Sequence, residues 1–178
     1  PHTHMRVIAH AYIAIAIITS VVGTLAYMGI LPGEDVFLRF GRAKAFFNDP
    51  NVYGPFLILP AMFALQRVLL GKGRSALWNG IAYLVIFVGV FVSFSRGAWG
   101  HLAASSLLVL VMVFFLEASA REKVRLLLIA LGGLMLLAAA MAVLLSIPVV
   151  AELFTQRFSL TQSYDTGELG RFGRIWYT

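Results

Sequence analysis

Long apolar runs separated by short polar loops set the pattern of this chain, and one membrane crossing needs about 20 consecutive apolar residues. The first run, 7–31, ends at Pro32-Gly33, and the second, 52–70, ends at Gly71-Lys72-Gly73-Arg74. From Leu77 to Leu116 only one charge interrupts, Arg96. At about 1.5 Å per residue that stretch would reach about 60 Å, twice the hydrocarbon thickness of about 30 Å. It must therefore turn back, and Ser95-Arg96-Gly97 is the plausible corner, which predicts a third helix over 77–94 and a fourth over 98–116. A fifth runs over 126–153 with Pro148 near its far end, and 154–178 is polar. The runs are continuous rather than alternating, so strands are not expected. The predicted fold class is an all-α integral membrane protein: one membrane domain over 1–178, five transmembrane helices and a polar extracytoplasmic tail.

Composition supports the same reading. Of 178 residues, 60% are hydrophobic and 12% charged, against about 45–50% and about 25% in soluble domains. This excludes a soluble globular domain, a disordered chain and a nucleic-acid-binding module. The net charge of +6 then belongs to loops or to anionic ligands. With no cysteine, disulfides, thiolate catalysis, iron–sulfur clusters and Cys-type zinc sites are ruled out. The start, Pro1-His2-Thr3-His4-Met5, reads as an expression scar or an internal cut rather than a signal peptide.

Five crossings put the two ends on opposite faces. Face A, at the N-terminal end, carries Arg6, Arg67, Lys72, Arg74, Arg121, Lys123 and Arg125; face B carries Arg39, Arg42, Lys44, Arg96, Arg157, Arg171 and Arg174. The count of basic residues is a tie. Face A's loops are shorter and basic, as cytoplasmic loops usually are, and face B's are longer and more acidic, so face A is expected to be cytoplasmic. Trp78 and Trp99 fall at helix starts, where an interfacial belt would place them.

Candidate chemistry collects on face B. Asp49-Pro50 reads as an N-cap followed by proline at the first helical position. Arg39, Arg42 and Lys44 admit two readings, anchoring to lipid headgroups or binding an anionic headgroup or pyrophosphate, for which the planar guanidinium fork is suited. Arg96 has no acid nearby in sequence. It either snorkels to the interface or faces a polar cavity, with Ser93 and Ser95 adding hydroxyls and Gly97 and Gly100 permitting close backbone approach. Pro55 and Pro60 fall inside helix two, tolerable in lipid where neighbours satisfy the freed carbonyls. His10 and His101 start helices on opposite faces and cannot share one haem or metal, and no metal-site, P-loop or nucleophile-elbow motif is present. No metal or cofactor is expected.

The face-B segments resemble a known family. The run Arg42-Ala43-Lys44-Ala45-Phe46-Phe47-Asn48-Asp49-Pro50-Asn51-Val52-Tyr53-Gly54-Pro55-Phe56 and the motif Ser93-Phe94-Ser95-Arg96-Gly97-Ala98-Trp99 resemble signatures of the O-antigen ligase and polysaccharide polymerase superfamily. The tail from Arg157-Phe158-Ser159-Leu160 to Gly170-Arg171-Phe172-Gly173-Arg174 resembles the start of that family's large periplasmic loop. The resemblance implies part of a GT-C-like helix bundle in the bacterial inner membrane, with a metal-independent glycosyltransferase activity. It implies a glycan donor linked to undecaprenyl pyrophosphate, a glycan or lipid acceptor, and transfer at the periplasmic face. Carried over, Arg42 and Arg96 would be the catalytic pair that binds the pyrophosphate. Arg39, Lys44, Asn51 and Ser95 are substrate-binding candidates, as are Arg171 and Arg174. The family has more helices and an acceptor-activating histidine with no counterpart here, which implies a fragment inactive alone. Two other classes remain: a transporter or flippase for an anionic lipid-linked sugar, which would need alternating access, and a structural subunit in which Arg42 and Arg96 diverge.

Overall fold

The computed structural model describes residues 2–32 and 34–158. Element order is α1 (His2–Tyr27), α2 (Glu34–Phe37), β1 (Leu38–Arg39), β2 (Arg42–Ala43), α3 (Pro50–Phe56), α4 (Ile58–Leu70), α5 (Gly73–Val92), α6 (Arg96–Met112), a π-helical turn at Val113–Glu117, α7 (Ala120–Leu145) and α8 (Pro148–Phe158). Five spans are long and apolar enough to cross a membrane: His4–Tyr27, Pro50–Leu70, Gly73–Val92, Arg96–Glu117 and Ala120–Leu145. This fits an all-α membrane protein. The chain divides into two units, residues 1–141 and 142–178.

In the first unit α1, α4 and α5 pack together, with Ile13, Ala64 and Ala82 buried at their meeting line and Ile17, Phe63 and Tyr83 against them. A second cluster joins Leu69, Val113 and Leu126 near face A. Close to face B the packing is tighter and polar. Tyr53 is fully buried, and its hydroxyl donates to the Thr19 carbonyl at 3.2 Å. Glycine makes this possible: a Cβ at Gly23 would lie 2.8 Å from the Tyr53 hydroxyl, and one at Gly89 would lie 2.7 Å from Ser20 Cβ.

The second span is interrupted at Leu57, between α3 and α4. Pro60 lacks the N–H that would bond the Phe56 carbonyl. Tyr12 reaches across from α1 and donates its hydroxyl to that carbonyl at 3.4 Å, its ring 5.1 Å from the Phe56 ring. The fifth span also differs from a continuous helix over 126–153. It starts at Ala120 and ends at Leu145, and Pro148 opens the separate α8. A proline disfavours helical backbone in the residue before it, and Ser146-Ile147 form the turn. Within the second unit, Ser146 and Thr155 turn their hydroxyls back onto the carbonyls of Val143 and Ala151 at 2.7 and 2.8 Å.

One element departs from the all-helical expectation. Outside the spans, β1 and β2 form a small antiparallel hairpin pairing Leu38 with Ala43 and Arg39 with Arg42. Its two-residue turn is Phe40-Gly41, with φ of 53° and 67°. Positive φ at both central positions matches the right-handed strand twist. A non-glycine residue at the first position hides the turn from a sequence reading.

Candidate functional site

Two of the three segments that carry the resemblance, 42–56 and 93–99, meet at the face-B end of the helices. Asp49 caps α3 as the Asp-Pro pair leads one to expect: its backbone is extended and its carboxylate accepts from the Asn51 N–H at 2.7 Å. This starts the second span at Pro50 and sets Asn51 in its first turn. From the hairpin, Arg42 points inward and is only 5% exposed. Its Nε donates to the Ser93 carbonyl at 2.9 Å, and its Nη2 donates to Asn51 Oδ1 at 2.9 Å. A buried guanidinium needs such partners, because an unpaired charge in low dielectric is far costlier than a paired one.

Ser93 belongs to the turn between α5 and α6, and the turn is strained. Phe94 has φ of 46° and is 1% exposed. Left-handed backbone in a bulky residue costs about 1–3 kcal/mol and persists only where surroundings over-determine it. Here they do. The Phe94 ring lies 5.5 Å from Tyr27, 5.8 Å from Phe91 and 6.0 Å from Trp99. The Ser93 hydroxyl donates to the Val90 carbonyl at 2.6 Å and accepts from the Ser95 N–H at 3.3 Å. Gly54 of α3 lies directly beneath, where a Cβ would come within 2.8 Å of both Ala98 Cβ and Ser93 Oγ.

Trp99 is partly buried against the end of α5. Its indole N–H points at the carbonyls of Val90 and Phe91, 3.2 and 3.3 Å away, and its ring stacks on Phe91 at 5.4 Å. The carbonyls freed at the end of a helix require donors, and Trp99 is placed to be one. Gly97 and Gly100 also act differently from the expectation of close approach, since a Cβ on either would meet nothing within 4 Å. Gly54 fills the close-approach role instead.

The remaining candidates separate into tethered and outward-facing groups. Arg39 bonds the Asn48 carbonyl at 2.9 Å and pairs with Asp49 at 3.6 Å, with about half its side chain exposed. Lys44 bonds the Val36 carbonyl. Both brace the loop that carries Arg42. Ser95 is 5% exposed and occupies the N-cap position of α6. Arg96 is the first residue of α6 and is exposed, as are Asn51 and His101. The helix N-terminus adds partial positive charge beside Arg96. Arg171 and Arg174 lie outside the described residues. The Tyr27 hydroxyl, which no sequence motif singles out, is buried and has no hydrogen-bond partner among the described residues.

Phe46 and Phe47, adjacent in the same loop, differ in surroundings. Phe46 is 63% exposed, while Phe47 packs 4.8 Å from Phe56 and 5.9 Å from Tyr53. Among the described residues no group of three or more His, Asp or Glu side chains is arranged to hold a metal. What the arrangement offers is a cationic rim, with one guanidinium buried in a braced turn and another exposed at a helix start. Such a rim suits a phosphate-bearing ligand. Compared with protein-family models, with curated proteins and with solved structures, the chain finds no match.

Proposed function

We propose that this chain is the donor-binding part of a membrane glycosyltransferase of the O-antigen ligase or polysaccharide polymerase type. It sits in the bacterial inner membrane with face A cytoplasmic and face B periplasmic. The observation that carries the reading is the hydrogen bond from Arg42 to the Ser93 carbonyl. It joins the two motif segments, tying Arg42 to the turn that precedes Arg96.

In this reading Arg96 grips the pyrophosphate of an undecaprenyl-linked glycan. Its guanidinium supplies bidentate hydrogen bonds, and the N-terminus of α6 adds favourable field. Arg42 contributes charge while its hydrogen bonds hold the Ser93–Ser95 turn from which Arg96 projects. Asn51, Ser95, Arg39 and Lys44 complete the rim. An acceptor hydroxyl oxygen attacks the anomeric carbon, a new glycosidic bond forms, and the bond from that carbon to the phosphate oxygen breaks. The hydroxyl proton passes to a base that none of the residues named here supplies. The electron pair leaves on the pyrophosphate, where preorganised guanidiniums stabilise the developing charge without metal.

The test is Arg96→Lys in the full-length protein, because lysine keeps the charge and loses the fork. Glycan transfer from the lipid-linked donor should be lost while membrane insertion and melting temperature stay unchanged. Undiminished transfer in a correctly inserted variant would falsify the reading.

A further inference from the structure

Face A carries a feature that the donor site does not use. α7 is pinned to the other helices at its start. Leu126, 2% exposed, packs against Leu69 and Val113, and Arg125 bonds the Gly71 carbonyl. Further along, α7 leaves the bundle, and Leu131, Leu134 and Met135 are 58%, 65% and 66% exposed. Between α7 and the wall formed by α4, α5 and α6 lies a cleft of about 500 Å³.

The chemistry of the cleft selects its occupant. Leu65, Leu77, Ile81, Leu107, Leu110 and Leu137 are among its walls. Tyr83 and Ser106 bond each other through their hydroxyls at 2.8 Å, so neither seeks a ligand. A polar molecule would lose its hydration there without compensation. A single flexible hydrocarbon chain fits the volume and the surface.

The face-A end of the cleft supplies a headgroup site. Leu69 lines both the cleft and a small polar hollow that also includes Glu117, Glu122 and Arg125. Lys72 and Arg74 project exposed at the start of α5, and Arg121, Lys123 and Arg125 occupy the first two turns of α7. Of the two acids, Glu122 already accepts from the Ser119 N–H and hydroxyl at 3.0 and 2.7 Å. Lys72, Arg74, Arg121, Lys123 and Arg125 outnumber Glu117 and Glu122, so this end is net positive above an apolar slot.

We propose that this cleft is a site for an anionic phospholipid of the face-A leaflet, one acyl chain between α7 and the α4–α6 wall and the phosphate among Lys72, Arg74 and Arg125. The site is separate from the donor site, and its test does not depend on glycan transfer.

Native mass spectrometry of the detergent-solubilised full-length protein decides it, with dioleoyl-phosphatidylglycerol, -phosphatidylethanolamine and -phosphatidylcholine as probes. Phosphatidylglycerol should be retained about tenfold more tightly than phosphatidylcholine, as several nearby cations would give. Gly80→Phe fills the cleft; a Cβ there is 3.9 Å from its nearest neighbour, Val68 Cγ2, so the fold has room for it. It should abolish retention of all three lipids, and Leu107→Trp serves where Gly80→Phe fails to melt like the parent. Lys72→Gln with Arg74→Gln should reduce phosphatidylglycerol to the phosphatidylcholine level. Equal retention of the three lipids, a preference for phosphatidylethanolamine, or undiminished binding in both cleft-filling variants would overturn the proposal. That last result would mean that annular lipid or another protein segment lies there instead.

Discussion

Arg42 Nε and the carbonyl oxygen of Ser93 are 2.9 Å apart, a hydrogen bond between residues separated by 51 positions. It links the loop before the second span to the turn after the third. The same guanidinium holds Asn51 through Nη2. Three segments therefore depend on one side chain, and the strained backbone at Phe94 sits beside it.

Arg42→Lys should destabilise the protein even though the charge is kept. A lysine ammonium is a point donor and cannot reproduce the planar Nε and Nη2 pair. Hydrogen bonds from charged donors contribute about 1.5–3 kcal/mol, and an ill-satisfied buried charge adds to the loss. We expect a decrease of about 2–4 kcal/mol, read as a lower melting temperature by circular dichroism in detergent. Asn51→Ala, at an exposed position, should cost about 1 kcal/mol. An Arg42→Lys protein that melts like the parent would show that the guanidinium bears no structural role.

Glycine substitutions separate the close approaches from the open ones. At Gly54 a Cβ would stand 2.8 Å from Ala98 Cβ and Ser93 Oγ, whereas at Gly100 it would meet nothing within 4 Å. Gly54→Ala should cost about 1–3 kcal/mol through overpacking. Gly100→Ala should be neutral or stabilise by up to about 1 kcal/mol, since alanine favours helix. Melting of both variants side by side checks the contrast, and a larger loss at Gly100 contradicts the packing described.

These contrasts also show what the sequence reveals and what it hides. The spans are legible because hydrocarbon thickness fixes how long an apolar run can be, so a stretch from Leu77 to Leu116 must turn. The corner falls at Ser93–Ser95, and Arg96 begins the next helix. The α3 cap is legible because Asp49-Pro50 is local chemistry. The inward turn of Arg42 is not, since a loop arginine looks the same whether it faces water or a distant carbonyl. The roles of Gly54 and Gly100 are likewise set by neighbours far away in sequence. Trp99 sits where an interfacial residue would sit, and only the end of α5 beside it explains its indole.

Tyr12 and Pro60 should be energetically coupled. Pro60 leaves the Phe56 carbonyl without its helical donor, and Tyr12 donates to it at 3.4 Å. Tyr12→Phe removes that hydroxyl and should cost up to about 1 kcal/mol while keeping the ring contact. In a Pro60→Ala background the backbone N–H can take over, so the same change should cost less. A double-mutant cycle by thermal melting measures the difference, and additive effects would mean that the long hydrogen bond contributes nothing.

Asp49 has two roles that two substitutions can divide. Its carboxylate caps α3 through the Asn51 N–H at 2.7 Å and pairs with Arg39 at 3.6 Å. Asparagine retains a capping oxygen and loses the charge; alanine loses both. Caps contribute about 1 kcal/mol, while pairs as exposed as this one contribute about 0–1 kcal/mol and weaken with salt. Asp49→Asn should therefore melt close to the parent, and closer still in high salt. Asp49→Ala should fall by about 1 kcal/mol at any ionic strength. The start of α3 also sets the position of Asn51, and through it one hydrogen bond of Arg42. A loss in Asp49→Ala should consequently be partly shared with Arg42→Lys, so that the double variant loses less than the sum of the two. Strict additivity would separate the helix cap from the guanidinium cluster it is placed to support.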